Sequence, residues 1–172
     1  MSRLDGQALK LAHSLTVTRY DPEHNQRAIP DLKLCAKWFV EVCRGLLHLH
    51  QHKMMHRDLK PLNILLYQEV GGTHARLCDF GLAKESPMAA LAAHTKGACT
   101  LFYMSPEILM HTPYGISHDI WSMGTIFGEV IMGELVFTGL SYEDTLDDIA
   151  SNFGFRPLDI DKDGEPTPVT RE

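Results

Sequence analysis

Along the chain, apolar residues recur with changing period, and the changes mark out the elements. Residues 1–29 are mostly polar. One weakly periodic stretch there, Ala8, Leu9, Leu11, Ala12 and Leu15, predicts a short helix. From Pro30 the pattern sharpens: Pro30-Asp31 supplies a helix start, and Ala36, Phe39, Val40, Cys43, Leu46, Leu47 and Leu49 recur at helical spacing. A core-facing helix over 31–52 is expected. Met54 to Asn63 is polar and irregular with an internal proline, so it reads as a loop. The short apolar runs Ile64 to Tyr67 and Ala75 to Cys78 flank Gly71-Gly72, the pattern of a hairpin. Residues 84–99 carry small and polar types without strong periodicity, whereas Ile116 to Met132 returns as a long apolar helix containing Trp121, Met123, Ile126 and Phe127. A loop as long as the one before that helix is usually functional, so its residues matter individually. No internal repeat is visible.

Composition narrows the class. A chain of 172 residues with 44% hydrophobic content can bury one core, so one globular domain is expected. The net charge of -6 gives no basic surplus for a polyanion, which argues against nucleic acid or an anionic membrane as the main partner. Met1 to Asp5 lack the charged and then apolar plan of a signal peptide, and no apolar run approaches membrane-spanning length. An intracellular protein, cytoplasmic or nuclear, is expected. Cys35, Cys43, Cys78 and Cys99 form no C-x-x-C pair and are too few for a disulfide framework, so they read as structural thiols.

The chemistry is concentrated in the loop after the first long helix. His56-Arg57-Asp58-Leu59-Lys60-Pro61-Leu62-Asn63 is followed, after a hairpin-sized gap, by Asp79-Phe80-Gly81. Met104-Ser105-Pro106-Glu107 and Asp119-Ile120-Trp121-Ser122-Met123-Gly124 come next. The first run matches the protein-kinase catalytic loop at each defining position, and the others resemble, in the family's order, its magnesium-binding loop, its A-P-E segment with Ser for Ala, and its central buried helix. Ordered motifs at plausible spacings make chance resemblance improbable, although any one three-residue match is weak. The resemblance is to eukaryotic-type serine/threonine protein kinases and covers roughly residues 30–155. Asp119 to Glu129 with Val136-Phe137-Thr138-Gly139 brings it nearest the cyclin-dependent and mitogen-activated branch. Met104 stands where that branch usually has arginine, which weakens any expectation of proline-directed specificity.

The resemblance implies a mainly α fold with a small β-hairpin, the carboxy-terminal lobe of a two-lobed α+β kinase. Residues 1–29 would be a hinge-proximal, helical lead-in, 30–155 the lobe, and 156–172 a flexible tail. It also implies transfer of the γ-phosphoryl of ATP to protein Ser or Thr hydroxyls with Mg2+, chemistry that rests on positioning and charge neutralisation. Asp58 would accept the hydroxyl proton, and Lys60 would reach the transferring phosphoryl. Thr100 would bridge these two. Asn63 and Asp79 would be the magnesium ligands, since that ion prefers a few protein oxygens with phosphate and water completing its octahedron. Leu65 would floor the adenine, so Lys60, Asn63, Leu65 and Asp79 are the expected nucleotide-binding set. His56 and Phe80 would pack on one another, and Asp119 would hydrogen-bond the catalytic-loop backbone from below.

Regulation is implied as well. Arg57 and Lys84 correspond to the cations that receive a phosphate on the activation segment, 79–107. Thr95, twelve residues before Glu107, is the expected phosphosite, with Ser86 before Pro87 as its competitor. The expected partners are protein substrates, with a cyclin-like subunit or an upstream activating kinase.

Two patterns suggest metal sites. His48, His50 and His52 alternate, but residues two apart on a helix do not face each other, so a metal shared by the run is not expected. Asp159 to Gly164 copies the first half of an EF-hand calcium loop, whose second half fails: Thr170 stands at position twelve, and Pro166 and Pro168 interrupt it.

No G-x-G-x-x-G loop, strand lysine of the V-A-I-K kind or paired helix glutamate precedes the catalytic loop, and 55 residues lie before His56. An amino-terminal lobe does not fit there beside the helix at 31–52, and the tail from Arg156 offers no further helices. The expectation is a fragment or truncated product, inactive alone. The alternative is a non-catalytic, kinase-like interaction module.

Overall fold

A computed structural model describes residues 9–10, 31–85 and 101–153. The first long helix, α1 (Leu32–Gln51), begins where Asp31 Oδ1 accepts the backbone N–H of Lys33 (2.9 Å) and of Leu34 (3.2 Å), satisfying donors that have no partner inside the helix. Its Cys35, Val42 and Leu46 are buried, and Trp38, Phe39, Cys43 and Leu49 pack at the margin of the same core. After the helix, Lys53 adopts a left-handed backbone (φ 57°) and turns the chain into β2 (Met54–Met55) and the loop beyond it.

The hairpin forms as the sequence predicts. β3 (Ile64–Glu69) and β4 (Gly72–Leu77) pair antiparallel from Ile64↔Leu77 to Glu69↔Gly72, and the reversal uses Gly71 and Gly72 at φ 107° and 116°, where a side chain would be strained. Alternation puts Ile64 and Leu66 in the core and leaves Leu65 and Tyr67 half-buried on the other face. β1 (Leu9–Lys10) adds to the free side of β3, with Leu9↔Leu66 and Lys10↔Leu65. This corrects the short helix expected around Leu9. A weak helical period is a poor match for an open strand edge, which offers backbone hydrogen bonds to any extended segment. The remainder of that stretch lies outside the described residues. β5 (Lys84–Glu85) pairs with β2, Met55↔Lys84 and Met54↔Glu85.

α1 closes the outer edge of β4 with side chains. Glu41 Oε2 accepts the Ala75 N–H (2.7 Å), Glu41 Oε1 lies 2.7 Å from His74 Nδ1, and Lys37 Nζ and Trp38 Nε1 both donate to Thr73 O (3.0 and 3.2 Å). Backbone groups of an edge strand thus find partners without another strand.

The central helix α3 (Ser117–Met132), expected from Ile116, lies across α1 and contributes Met123, Ile126 and Val130 to the same core, with the Phe39 and Phe127 rings 4.2 Å apart. Gly133 ends it at φ 78°. A second core joins Met104, Ile108, Leu109, Phe137 and Ile149, drawn from the short α2 (Pro106–Leu109) and the chain just before it, from α4 (Tyr142–Phe153) and from the segment between α3 and α4, with Trp121 stacked on Phe137. α4 has no counterpart among the elements expected from the sequence. Gly139 is required there, because a Cβ would collide with the backbone of Asp144 and Thr145. Among the described residues, no helix is long and apolar enough to cross a membrane.

The Glu41 clasp makes the fold sensitive to acid. Burial pushes its carboxyl up, but the Ala75 N–H, His74 and Lys37 outweigh that and hold it below its ordinary value of 4.5. The folded value being the lower one, the contribution is present above the ordinary carboxylate range and is lost as pH falls through the folded value. Urea denaturation should find Glu41→Gln less stable than the parent by roughly 2 kcal/mol at pH 7. The gap should close toward pH 3. A gap unchanged over that range would contradict the clasp.

Candidate active site

The loop between β2 and β3 is built around a carboxylate. Lys60 Nζ donates to Asp58 Oδ2 at 2.8 Å, and Asn63 Nδ2 donates both to Asp58 O (2.7 Å) and to Asp58 Oδ2 (3.1 Å). Pro61 to Asn63 forms a single 3-10 turn whose pre-set proline φ favours the reversal, and it returns the buried Asn63 beneath Asp58. One carboxylate oxygen is therefore fixed by two donors while Oδ1 keeps its capacity to accept. The Asn63 amide, donating through nitrogen toward Asp58, keeps its carbonyl oxygen free for a cation.

The loop is held from below by α3. The fully buried Asp119 accepts the N–H of His56 on Oδ2 and that of Arg57 on Oδ1, both at 2.9 Å, and His50 Nε2 lies 2.9 Å from Oδ2. Arg57 itself is left-handed (φ 67°), a conformation that costs a bulky side chain of order 1–3 kcal/mol and persists only where the surroundings impose it. Here the Asp119 bond and a 2.7 Å bond from Arg57 Nε to Leu82 O fix it from both sides.

Asp79 follows β4 directly. The Cys78 N–H donates to Asn63 O (2.9 Å), so the two prospective oxygen ligands, Asn63 and Asp79, emerge at the same end of the hairpin. Asp79 is exposed and left-handed (φ 65°), a region aspartate tolerates better than most residues. These hard oxygen donors fit magnesium, which takes few protein ligands. The half-exposed Phe80 meets the buried His56 edge-on with ring centroids 5.5 Å apart, the packing expected of this pair, and His56 Nε2 lies 3.1 Å from Cys78 O.

A shallow groove beside Asp58 is lined by Arg57, Leu59, Tyr103, Met104, His118 and Ser122. Its far wall is fastened to α3: Ser122 Oγ donates to Tyr103 O (2.7 Å), and Tyr103 OH donates to Glu129 (2.7 Å). Met104 is buried in the second core.

The structure thus brings Asp58, Lys60 and Asn63 into direct contact and sets Asp79 at the adjoining hairpin end. Leu65 lies on the half-buried face of β3, and Arg57 engages the loop after Asp79. The backbone of Lys84 belongs to β5, while its side chain, Ser86, Thr95, Thr100, Cys99 and the Asp159–Gly164 run lie outside the described residues. Sequence reasoning missed His50, whose tie to Asp119 was hidden within the alternating histidines.

The protein kinase domain family matches residues 11–167. The chain belongs to that family. It is 39% identical over 102 residues to the "Probable CTD kinase subunit alpha homolog" of Encephalitozoon cuniculi, covering 59% of this chain and 30% of the relative. It is 38% identical over 115 residues to the cyclin-dependent kinase 4 homolog of Caenorhabditis elegans, covering 67% and 27%. A solved structure of the yeast RNA Pol II CTD kinase CTDK-1 complex superposes with a TM-score of 0.58 at 32% identity, over 67% of this chain and 37% of that one. The chain therefore spans about a third of the length of these relatives, and they place it near the cyclin-dependent branch.

Removing the Asp119 carboxylate would leave the buried His56 N–H and the part-buried Arg57 N–H unpaired, at about 1–3 kcal/mol each. Asp119→Ala should lower unfolding free energy by about 3 kcal/mol in urea titrations. A loss below about 1 kcal/mol would show that the loop does not depend on this anchor.

Proposed function

We propose that this chain is the carboxy-terminal, catalytic-loop lobe of a protein serine/threonine kinase, using ATP and Mg2+. The observation that carries the reading is the Asp58 carboxylate pinned on one oxygen by Lys60 and Asn63, with its other oxygen left to accept. In this proposal Asp58 Oδ1 takes the hydrogen bond of a Ser or Thr hydroxyl and aims that oxygen for in-line attack. Lys60 turns from Asp58 toward the transferred phosphoryl as its charge develops. Its position two residues after Asp58 supports hydroxyl substrates of the Ser/Thr class. Thr100 bridges Asp58 and Lys60. Asn63 and Asp79 present oxygens to Mg2+, which when bound neutralises phosphate charge and aligns the γ-phosphoryl. Leu65 lies beneath the adenine.

Arg57 and Lys84 receive a phosphate on Thr95, which orders the activation segment by charge-assisted hydrogen bonds. The relatives named for cyclin-dependent and CTD kinases support protein substrates and a cyclin-like or activating-kinase partner, in an intracellular setting, cytoplasmic or nuclear. Met104 is buried where an arginine would shape a proline-accepting pocket, which weakens the case for proline-directed specificity.

These 172 residues by themselves hold no G-x-G-x-x-G loop or strand lysine to cover and clamp ATP. Good alignment is worth roughly 7–11 kcal/mol of barrier, and losing a third of it slows transfer by about two orders of magnitude. The 172-residue chain alone should accordingly transfer phosphate from magnesium-ATP to a basic protein only slowly. Fast turnover that vanishes in Asp58→Asn would contradict the need for a covering lobe.

The roles within the site separate by binding. In calorimetric titrations with magnesium-ATP, Asp58→Asn should keep nucleotide affinity near that of the parent while abolishing residual transfer, because it removes a proton acceptor and no metal ligand. Asp79→Asn should weaken magnesium-dependent binding by about tenfold or more. Equal affinity losses in both variants would refute the assignment.

A further inference from the structure

The histidines at the end of α1 divide between two tasks. His50 turns inward to Asp119, while His48 and His52, one helical turn apart, meet on the exposed side with ring centroids 4.4 Å apart. Residues at i and i+4 share a helix face, whereas the alternating run as a whole does not. A 3.3 Å bond from the His52 N–H to His48 O keeps His52 in register with the last turn.

The hydrogen bonding of these rings specifies donor atoms. His52 Nδ1 lies 2.8 Å from His48 O; a carbonyl can only accept, so Nδ1 carries the proton, and in the neutral ring Nε2 is the nitrogen with the lone pair. Donation of the second ring nitrogen to a backbone carbonyl is the arrangement that fixes the tautomer of metal-ligating histidines. The His48 ring makes no hydrogen bond among the described residues, which leaves its lone-pair nitrogen available.

We propose that His48 and His52 form a two-histidine site for a divalent transition-metal cation of the zinc, nickel and copper class. Imidazole nitrogens select these ions over magnesium or calcium, which take hard oxygens, so the site is chemically distinct from Asn63 and Asp79. Two nitrogens at roughly 2.0–2.1 Å from one ion stand about 3 Å apart. The ring centroids, 4.4 Å apart on one helix face, lie close enough for the two side chains to share one ion. The ion would also sit at the carboxy-terminal, negative end of a 20-residue helix. No group of three or more potential ligands gathers among the described residues, so water completes the coordination and the ion exchanges readily. Binding would clamp the last turn of α1, the turn whose His50 holds Asp119.

The test titrates the 172-residue chain with Cu2+, Ni2+ and Zn2+ in excess Mg2+, beside His48→Ala and His52→Ala, with circular dichroism to confirm the helix and thermal melts with and without metal. Affinity should follow Cu2+ above Ni2+ and Zn2+. One binding event should weaken by about tenfold or more in each single variant, and the metal-induced rise in melting temperature should disappear in both. Copper affinity equal to the parent's in either folded variant would overturn the proposal, as would a parent chain that binds none of the three ions. A variant that fails to fold is replaced by His52→Gln, which retains a polar group at the helix end.

Discussion

The loop that carries Asp58 depends on a buried carboxylate that belongs to another element. Asp119 lies in the first turn of α3, and its two oxygens take the N–H groups of His56 and Arg57 while His50 approaches from α1. A helix, a helix end and a loop are joined at one side chain with no exposure to solvent. Low dielectric strengthens these bonds and makes any unmade one costly, so the position of the loop backbone is determined within narrow limits. Because Asp58 follows Arg57 directly, its carboxylate inherits that constraint, and the left-handed strain at Arg57 is the cost of aiming it.

α1 organises the other side of the site. Its inner face shares one apolar core with α3 and the hairpin, and its polar flank closes the edge of β4 through Glu41, Lys37 and Trp38. The hairpin is therefore fixed at both edges, by β1 and by the helix, and Asn63 and Asp79 emerge from its base. The second core, around Phe137 and Ile149, carries the segment that forms the far wall of the groove beside Asp58. The two sides of the groove meet at α3, and Tyr103 ties the far wall to the first core as well.

Local signals in the sequence were sufficient for α1, for the hairpin with its glycine turn, for α3 and for the loop constellation, because each is specified by residues close together in the chain. Edge pairing was not legible. Leu9–Lys10 joins β3 and Lys84–Glu85 joins β2 through a few backbone bonds, and neither pairing leaves a side-chain period. α4 did have a signal, Leu146, Ile149, Ala150 and Phe153 at helical spacing, masked by the acidic residues between them. The histidine run shows a different limit: spacing separates His50 from its neighbours, but only the folded chain shows that it serves Asp119 while His48 and His52 face each other.

The central claim is that the Asp58 loop is rigid because its backbone is bonded to α3. Native-state amide hydrogen exchange at His56 and Arg57 tests it most directly, since those two N–H groups are the ones Asp119 accepts. The account predicts that both exchange as slowly as the core amides of Ile126 and Val130. Exchange of His56 and Arg57 at the rate of the exposed Leu62 amide, while the α3 amides stay protected, would contradict it.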